Sequence, residues 1–163
     1  MVIADGALLD ILRSVKDPEV PVLDVVELGV VRDVRREAGK VVVDITPTYS
    51  GCPALNTMEE EIIAALNAAG FPDVEVRKVY SPAWTTDWMG AEAKEKLRAY
   101  GIAPPHTREA EPLIVLERAR RTTACPFCGS SNTEEKSEFG STSCKAIHFC
   151  NSCHQPFDSF KSI

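Results

Sequence analysis

The 163-residue chain contains no run of eighteen apolar residues, so it has no segment able to cross a bilayer as a helix. It also lacks a basic leader. The first ten residues, Met-Val-Ile-Ala-Asp-Gly-Ala-Leu-Leu-Asp, carry two Asp and no cation, which is not the pattern of a secretory signal. A cytoplasmic location is therefore expected. A basic footprint is missing as well. The net charge is −6, and residues 121–163 balance Arg121, Lys136, Lys145 and Lys161 against Glu134, Glu135, Glu138 and Asp158. The whole charge deficit thus falls on the rest of the chain, and neither part suits nucleic acid. There are only three His, and none of His106, His148 or His154 has a Glu three residues before it. The Glu-x-x-His pairs of a helical di-iron carboxylate site are absent. So is a Gly-x-Gly-x-x-Gly for a flavin or nicotinamide cofactor. The chain lacks the parts to perform oxygenation alone. An apolar share of 44% and a charged share of 26% describe a globular protein, of a length for one ordinary domain or a smaller one with an appendage.

What the chain does have is cysteine. Of six Cys, five lie between positions 125 and 153. Cys125-Pro-Phe-Cys128-Gly129 and Cys150-Asn-Ser-Cys153-His154 are two Cys-x-x-Cys knuckles, at the separation of a four-thiolate metal site. In a reducing compartment, clustered Cys indicate metal rather than disulfides. The remaining apolar residues of this tail are mainly Phe127, Phe139, Ile147, Phe149, Phe157 and Phe160. A segment of about forty residues with so small a core needs a metal to fold. Zn²⁺ in a structural role through Cys125, Cys128, Cys150 and Cys153 is expected, with iron as the alternative, because a tetrahedral S₄ set suits either ion. Cys150-x-x-Cys153-His154 also spells the c-type haem attachment pattern. The partner knuckle, the lack of an export signal and the lack of a following Met argue against haem. Cys144 is surplus to four ligands and reads either as a packed thiol or as a reserve ligand for a transient cluster.

The sixth cysteine sits in the stretch around which the rest of the chain is organised, Thr46-Pro-Thr-Tyr-Ser-Gly-Cys-Pro-Ala-Leu-Asn-Thr-Met58. Val41, Val43 and Ile45 alternate as a strand before it. Leu55, Met58, Ile62, Leu66 and Ala69 follow at helical spacing. Pro53 suits a first helical position, which makes Cys52 the expected N-cap facing the free N–H groups of Ala54 and Leu55. The helix dipole there favours a thiolate near neutral pH, and so a nucleophile or soft-metal ligand. The same pattern fits a small buried hydrophobe under a loop, and the residues leave both readings open.

Taken in order, Leu8, Ile11, Leu12 and Val15 predict a helix ending before Asp17-Pro18. Asp17-Pro-Glu-Val-Pro21 is a stiff extended loop carrying Asp17 and Glu19, by itself a solvated helix terminator. A strand is expected from Gly29 to Arg36, a hairpin turn at 37–40, the strand at 41–46 and a helix over 53–69. Gly70 and Pro72 stop that helix, and Val74, Val76 and Val79 mark a third strand. Trp84 and Trp88 mark either an interface or a cover over the sheet edge. A third helix follows at 91–100, and Leu113–Leu116 is a candidate short strand. The predicted class is α+β: a small sheet with helices on one face, then a small Cys₄ zinc-ribbon module. The domains are expected at 1–103, a linker at 104–120 and the ribbon at 121–163.

These stretches carry a resemblance. Asp17-Pro-Glu-Val-Pro21, Leu28-Gly-Val-Val-Arg-Asp33 and Thr46-x₅-Cys52-Pro53 resemble the SufT-like family of small proteins that assist metal–sulfur cluster assembly. Trp84-Thr-Thr-Asp-Trp88, Ile102-Ala-Pro-Pro105 and the Cys₄ tail with Phe139-Gly-Ser-Thr142 are similar to its PaaD branch, the accessory proteins of bacterial phenylacetyl-CoA epoxidase systems in phenylacetate degradation. The resemblance implies an accessory factor that matures or delivers an iron or iron–sulfur centre. Cys52 would be its functional thiol, with Asp17 and Glu19 as further iron- or cluster-handling candidates. The implied partners are components of the epoxidase, one a di-iron oxygenase and one an iron–sulfur reductase, or iron–sulfur assembly proteins. Two other functions compete with this one: a purely structural interaction module of that complex, and an enzyme using Cys52 as a covalent nucleophile.

Overall fold

In the computed structural model, which describes residues 6–106 and 122–163, Leu8 and Leu12 are buried one helical turn apart on a short helix, α1 (Gly6–Leu12). The helix stops earlier than its apolar period suggests. Ser14 donates its hydroxyl to the Ile11 carbonyl at 2.7 Å, and Val15 is buried from the turn that follows. The loop to the first strand is organised by its own carboxylates. Asp17 Oδ1 accepts the N–H of Glu19 and of Val20, each at 2.7 Å. Asp24 Oδ1 does the same for Val26 and Glu27. These local bonds let Val20, Leu23, Val25 and Leu28 reach the core from a segment without regular structure.

Strands β1 (Val31–Glu37) and β2 (Lys40–Ile45) form an antiparallel hairpin. Its two-residue turn places Ala38 and Gly39 at φ 49° and 90°, the backbone hand that matches strand twist. Helix α2 (Ala54–Ala68) crosses over to β3 (Val74–Lys78), which lies parallel to β2, giving the order β1-β2-β3. The face bearing Val34, Val41, Val43 and Ile45 is buried, and α2 buries Leu55, Met58, Ile62 and Leu66. Lys78 ties this edge down by reaching Glu59 of α2 at 2.8 Å. The opposite face carries Asp33, Arg35, Glu37, Asp44, Glu75 and Arg77 in an ion-pair net joined through Glu37, with Val42 buried beneath it. One face is apolar and the other is charged, which is why the helices collect on one side.

The two tryptophans close on their own unit. Trp84 Nε1 donates to the Leu28 carbonyl at 2.9 Å. The Arg32 guanidinium lies 3.6 Å above the Trp88 ring. Both require Gly29, at φ 78°, where a Cβ would lie 3.3 Å from the Cβ of Trp88. The Trp84–Trp88 segment therefore covers the sheet edge.

Contacts divide the chain into two compact units, Met1–Met89 and Gly90–Ile163. Helix α3 (Ala91–Tyr100) ends at Gly101 in a left-handed conformation. The next residues, β4 (Ile102–Ala103), pair in parallel with a ribbon strand, Ile102 opposite Asp158 and Ala103 opposite Ser159. A two-residue strand has no period to read, so its partner is not legible in the sequence. The ribbon itself is β5 (Thr133–Ser137), β6 (Lys145–Cys150) and β7 (Pro156–Phe160), in the sheet order β4-β7-β6-β5. The candidate strand at Leu113–Leu116 and most of the expected linker lie outside the described residues.

Candidate functional site

In the second unit the two knuckles meet. The sulfurs of Cys125, Cys128, Cys150 and Cys153 lie within 4.8 Å of one another, the one such group of potential metal ligands among the described residues. Cys125 Sγ is 3.7 Å from Cys153 Sγ, and Cys128 Sγ is 3.6 Å from Cys150 Sγ. These separations are far beyond a disulfide. They match the edge of a sulfur tetrahedron, about 3.8 Å when each thiolate is ~2.3 Å from a central ion. Each knuckle is closed by the same backbone bond. Gly129 N–H donates to the Cys125 carbonyl and His154 N–H to the Cys150 carbonyl, both at 2.9 Å. His154, at φ 60°, thus occupies the place that Gly129 holds in the first knuckle. The haem-like spelling is a second metal knuckle. The backbone N–H of Cys153 holds the Cys150 thiol down to about 6, while burial pushes the Cys153 thiol up to about 12, so Cys150 is the first of the two to ionise.

Four soft donors at tetrahedral spacing fit a divalent ion such as Zn²⁺, whose role here would be to hold the fold together. Cys125 and Cys150 are buried with Ala103 and Phe157, and the cluster is small. Cys144 lies outside it. It precedes β6 while Cys150 ends it, and six strand residues span roughly 20 Å. Its sulfur is 3.1 Å from the Thr142 hydroxyl. Cys144 is a packed thiol and not a reserve ligand.

In the first unit, Cys52 sits between β2 and α2, with 9% of its surface exposed. The helix begins at Ala54, and Pro53, with φ −69° and ψ −26°, flanks it without a side-chain cap. Cys52 N–H donates to the Tyr49 carbonyl at 3.2 Å, and its own carbonyl accepts from Leu55 at 3.3 Å. Burial pushes the thiol pKa up. The N–H of Ala54 pulls it down by less, Glu19 pushes it up, and Tyr49 and Thr48 pull it down. The expectation of a thiolate near neutral pH is therefore overturned: desolvation outweighs the helix terminus. Glu19 is close enough to act on the sulfur through its charge. Asp17, by contrast, turns one oxygen toward two backbone N–H groups and holds the loop that carries Glu19.

Sequence reasoning does not single out Thr48 and Tyr49, although they lie within the organising stretch; nothing in the periodicity shows a hydroxyl turning toward sulfur. A covalent nucleophile needs a base, and none of the three His lies in Met1–Met89. No helix among the described residues is long and apolar enough to cross a membrane.

Comparison with known proteins divides the chain in the same sense. Residues 6–79 match the family model described as iron-sulfur cluster assembly protein, and residues 109–161 match that of the PaaD zinc beta ribbon domain. An Escherichia coli protein named as a putative component of 1,2-phenylacetyl-CoA epoxidase is 45% identical over 153 residues, covering 94% of this chain and 90% of that one. The Bacillus subtilis "Fe-S protein maturation auxiliary factor YitW" is 41% identical over 87 residues, 51% of this chain and 82% of that protein. Among solved structures, a domain of unknown function, DUF59, from Bacillus anthracis superposes with a TM-score of 0.53 at 31% identity, covering 57% of this chain and 90% of that one.

Proposed function

The chain belongs to the PaaD family, and from that membership we propose that it is an accessory maturation factor that helps assemble or deliver an iron or iron–sulfur centre to a multicomponent oxygenase. The client is the phenylacetyl-CoA epoxidase of aerobic phenylacetate degradation. The observation that carries this reading is the setting of Cys52, a shielded sulfur under the charge of Glu19.

That setting suits cargo that must be surrendered. With its pKa raised, the thiol stays protonated at neutral pH. An arriving Fe²⁺ must displace that proton: the S–H bond breaks, an S–Fe bond forms and the proton leaves to water. The lost proton weakens net affinity, while the Glu19 carboxylate attracts the cation. A soft sulfur beside a hard oxygen holds iron only loosely. Asp17 serves by fixing the Glu19 loop. The ribbon holds one structural Zn²⁺ through Cys125, Cys128, Cys150 and Cys153 and offers docking surface to the epoxidase or to iron–sulfur assembly proteins.

The burial of Cys52 favours a second reading, a non-catalytic interaction module in which the thiol only packs. One experiment separates the two. Cys52→Ser is produced together with the epoxidase, and co-purification, iron content and activity are measured. Delivery requires that the variant fold and co-purify while the epoxidase is poor in iron and inactive. Full iron and full activity in that strain would replace delivery with the interaction module. Anaerobic Fe²⁺ titration of both proteins checks the same point directly, since only the wild type should bind at this loop.

A further inference from the structure

Of the six cysteines, all among the described residues, Cys128 alone is exposed; Cys153 is half-buried and the other four are buried. The four-sulfur group is therefore lopsided. Cys125 and Cys150 are 2% and 0% exposed, while Cys128 stands on the solvent side of the same group. The flank of Cys128 is open as well. Phe127 is 57% exposed, and a Cβ on Gly129 would meet no atom within 4 Å beyond its chain neighbours. Yet the Cys128 sulfur is only 3.6 Å from the buried Cys150 sulfur. A structural metal needs four sulfurs, but it does not need one of them exposed.

We propose that Cys128 is an oxidation site for hydrogen peroxide, and that its oxidation discharges the ribbon's metal by way of a Cys128–Cys150 disulfide. The inference rests on the reading of the ribbon as a zinc site, and not on Cys52. Metal ligation keeps the Cys128 sulfur as a thiolate, and oxidation follows thiolate character and exposure. The Cys128 sulfur attacks one peroxide oxygen. An S–O bond forms, the O–O bond breaks, and the departing hydroxide takes a proton from solvent. The Cys150 thiolate then attacks the oxidised sulfur. The S–S bond forms, the S–O bond breaks, and a second hydroxide leaves and is protonated. Two thiolates, a peroxide and two protons thus give a disulfide and two waters. The sulfurs lose the two electrons that the peroxide gains. The pair closes from 3.6 Å to about 2.05 Å, so only Cys125 and Cys153 remain as thiolate ligands, too few to keep the ion. With so small a core the ribbon's fold is lost with its metal, and so is its docking surface. Cys52 and Cys144, 9% and 3% exposed, are spared.

The test adds hydrogen peroxide to zinc-loaded full-length protein beside a zinc-sensitive dye, then blocks free thiols and maps the disulfides by peptide mass. The expected result is about one Zn²⁺ released per disulfide, a first bridge between Cys128 and Cys150, and Cys52 and Cys144 still free. Dithiothreitol with added Zn²⁺ should restore amide protection in β6 and β7. Cys128→His keeps a fourth zinc ligand without the oxidisable sulfur, so its release should slow by about tenfold. Cys144→Ser should release zinc at the wild-type rate. A first bridge that omits Cys128 or Cys150, zinc retained once that bridge has formed, or release from Cys128→His at the wild-type rate would overturn the proposal. The wild-type map decides the matter even if Cys128→His takes up no zinc. Wild-type protein that takes up no zinc would overturn the ribbon reading itself, which sets that failure apart from failure of the oxidation site.

Discussion

Met1–Met89 and Gly90–Ile163 answer the same problem, how a short chain makes a core, in opposite ways. The first unit buries Leu8, Leu12, Leu23, Val34, Ile45, Met58, Ile62 and Leu66 between a sheet and helices. The second has the small cluster of Ala103, Cys125, Cys150 and Phe157, with Cys153 packed against it. The thiols follow the same division. Cys52 is single, shielded and pushed above its ordinary pKa by burial, while Cys150 is held at about 6 by a neighbouring amide and faces three other sulfurs. Under the proposed function metal would play two parts: in the ribbon it would complete a fold, and at Cys52 it would be cargo. The largest expected effect breaks that comparison at its base. Chelation, or Cys128→Ser, should unfold the ribbon by removing on the order of 10 kcal/mol of metal-linked stability. Amide exchange should become fast in β5, β6 and β7 while α2 and β2 stay protected. Equal loss of protection in both units would mean that the first does not fold on its own core.

The converse change is smaller. Ile62 is fully buried on α2, and Ile62→Ala should cost the first unit about 2–5 kcal/mol in denaturant unfolding. The ribbon should keep its metal at the concentrations that unfold the first unit. Release of the metal in step with that unfolding would show that the two units share one cooperative transition.

The comparison sharpens at Cys52 itself. Glu19→Gln removes a charge that opposes the thiolate, so alkylation of Cys52 at pH 8 should quicken by about two- to fivefold. Cys144 is buried as well, so neither thiol should react quickly in the native protein. The sign for stability is fixed by the direction of the shift. The folded thiol ionises above the unfolded value of 9.0, so its contribution is full below pH ~9 and is lost as pH rises through the folded value. An alkylation rate unchanged by Glu19→Gln would separate Glu19 from the sulfur.

Regular elements are legible in the sequence wherever a period runs long enough. Val41–Ile45, Leu55–Leu66 and Val74–Val76 announce β2, α2 and β3, and the knuckle spacing announces the four-sulfur group. What escapes is set by distant contact. Ile102–Ala103 become a strand only because β7 lies beside them. Trp84 becomes core only because the Leu28 carbonyl accepts its N–H. The direction of the Cys52 pKa is hidden because the helix terminus is local and visible in sequence, whereas the burial that outweighs it is the work of the whole unit.

The smallest effect compares the two knuckles, which differ at one backbone position. Gly129 adopts φ 75° freely, while His154 adopts φ 60° with a Cβ that disfavours it by roughly 1–2 kcal/mol. His154→Gly relieves that strain. It also gives the unfolded chain about 0.5–1 kcal/mol more freedom and gives up the tilted ring contact with Phe149, at 6.4 Å between centroids. The net gain in ribbon stability should therefore be only about 0.5 kcal/mol. His154→Ala gives up the same ring contact but keeps the strain, so the glycine variant should exceed it by about 1 kcal/mol. Gly129→Ala should fall below the wild type by a similar amount, because it imports the same strain into the first knuckle. Thermal melting of the zinc-loaded variants measures all three. Equal melting of His154→Gly and His154→Ala would show that the backbone at 154 is relaxed and that the two knuckles are held by different means.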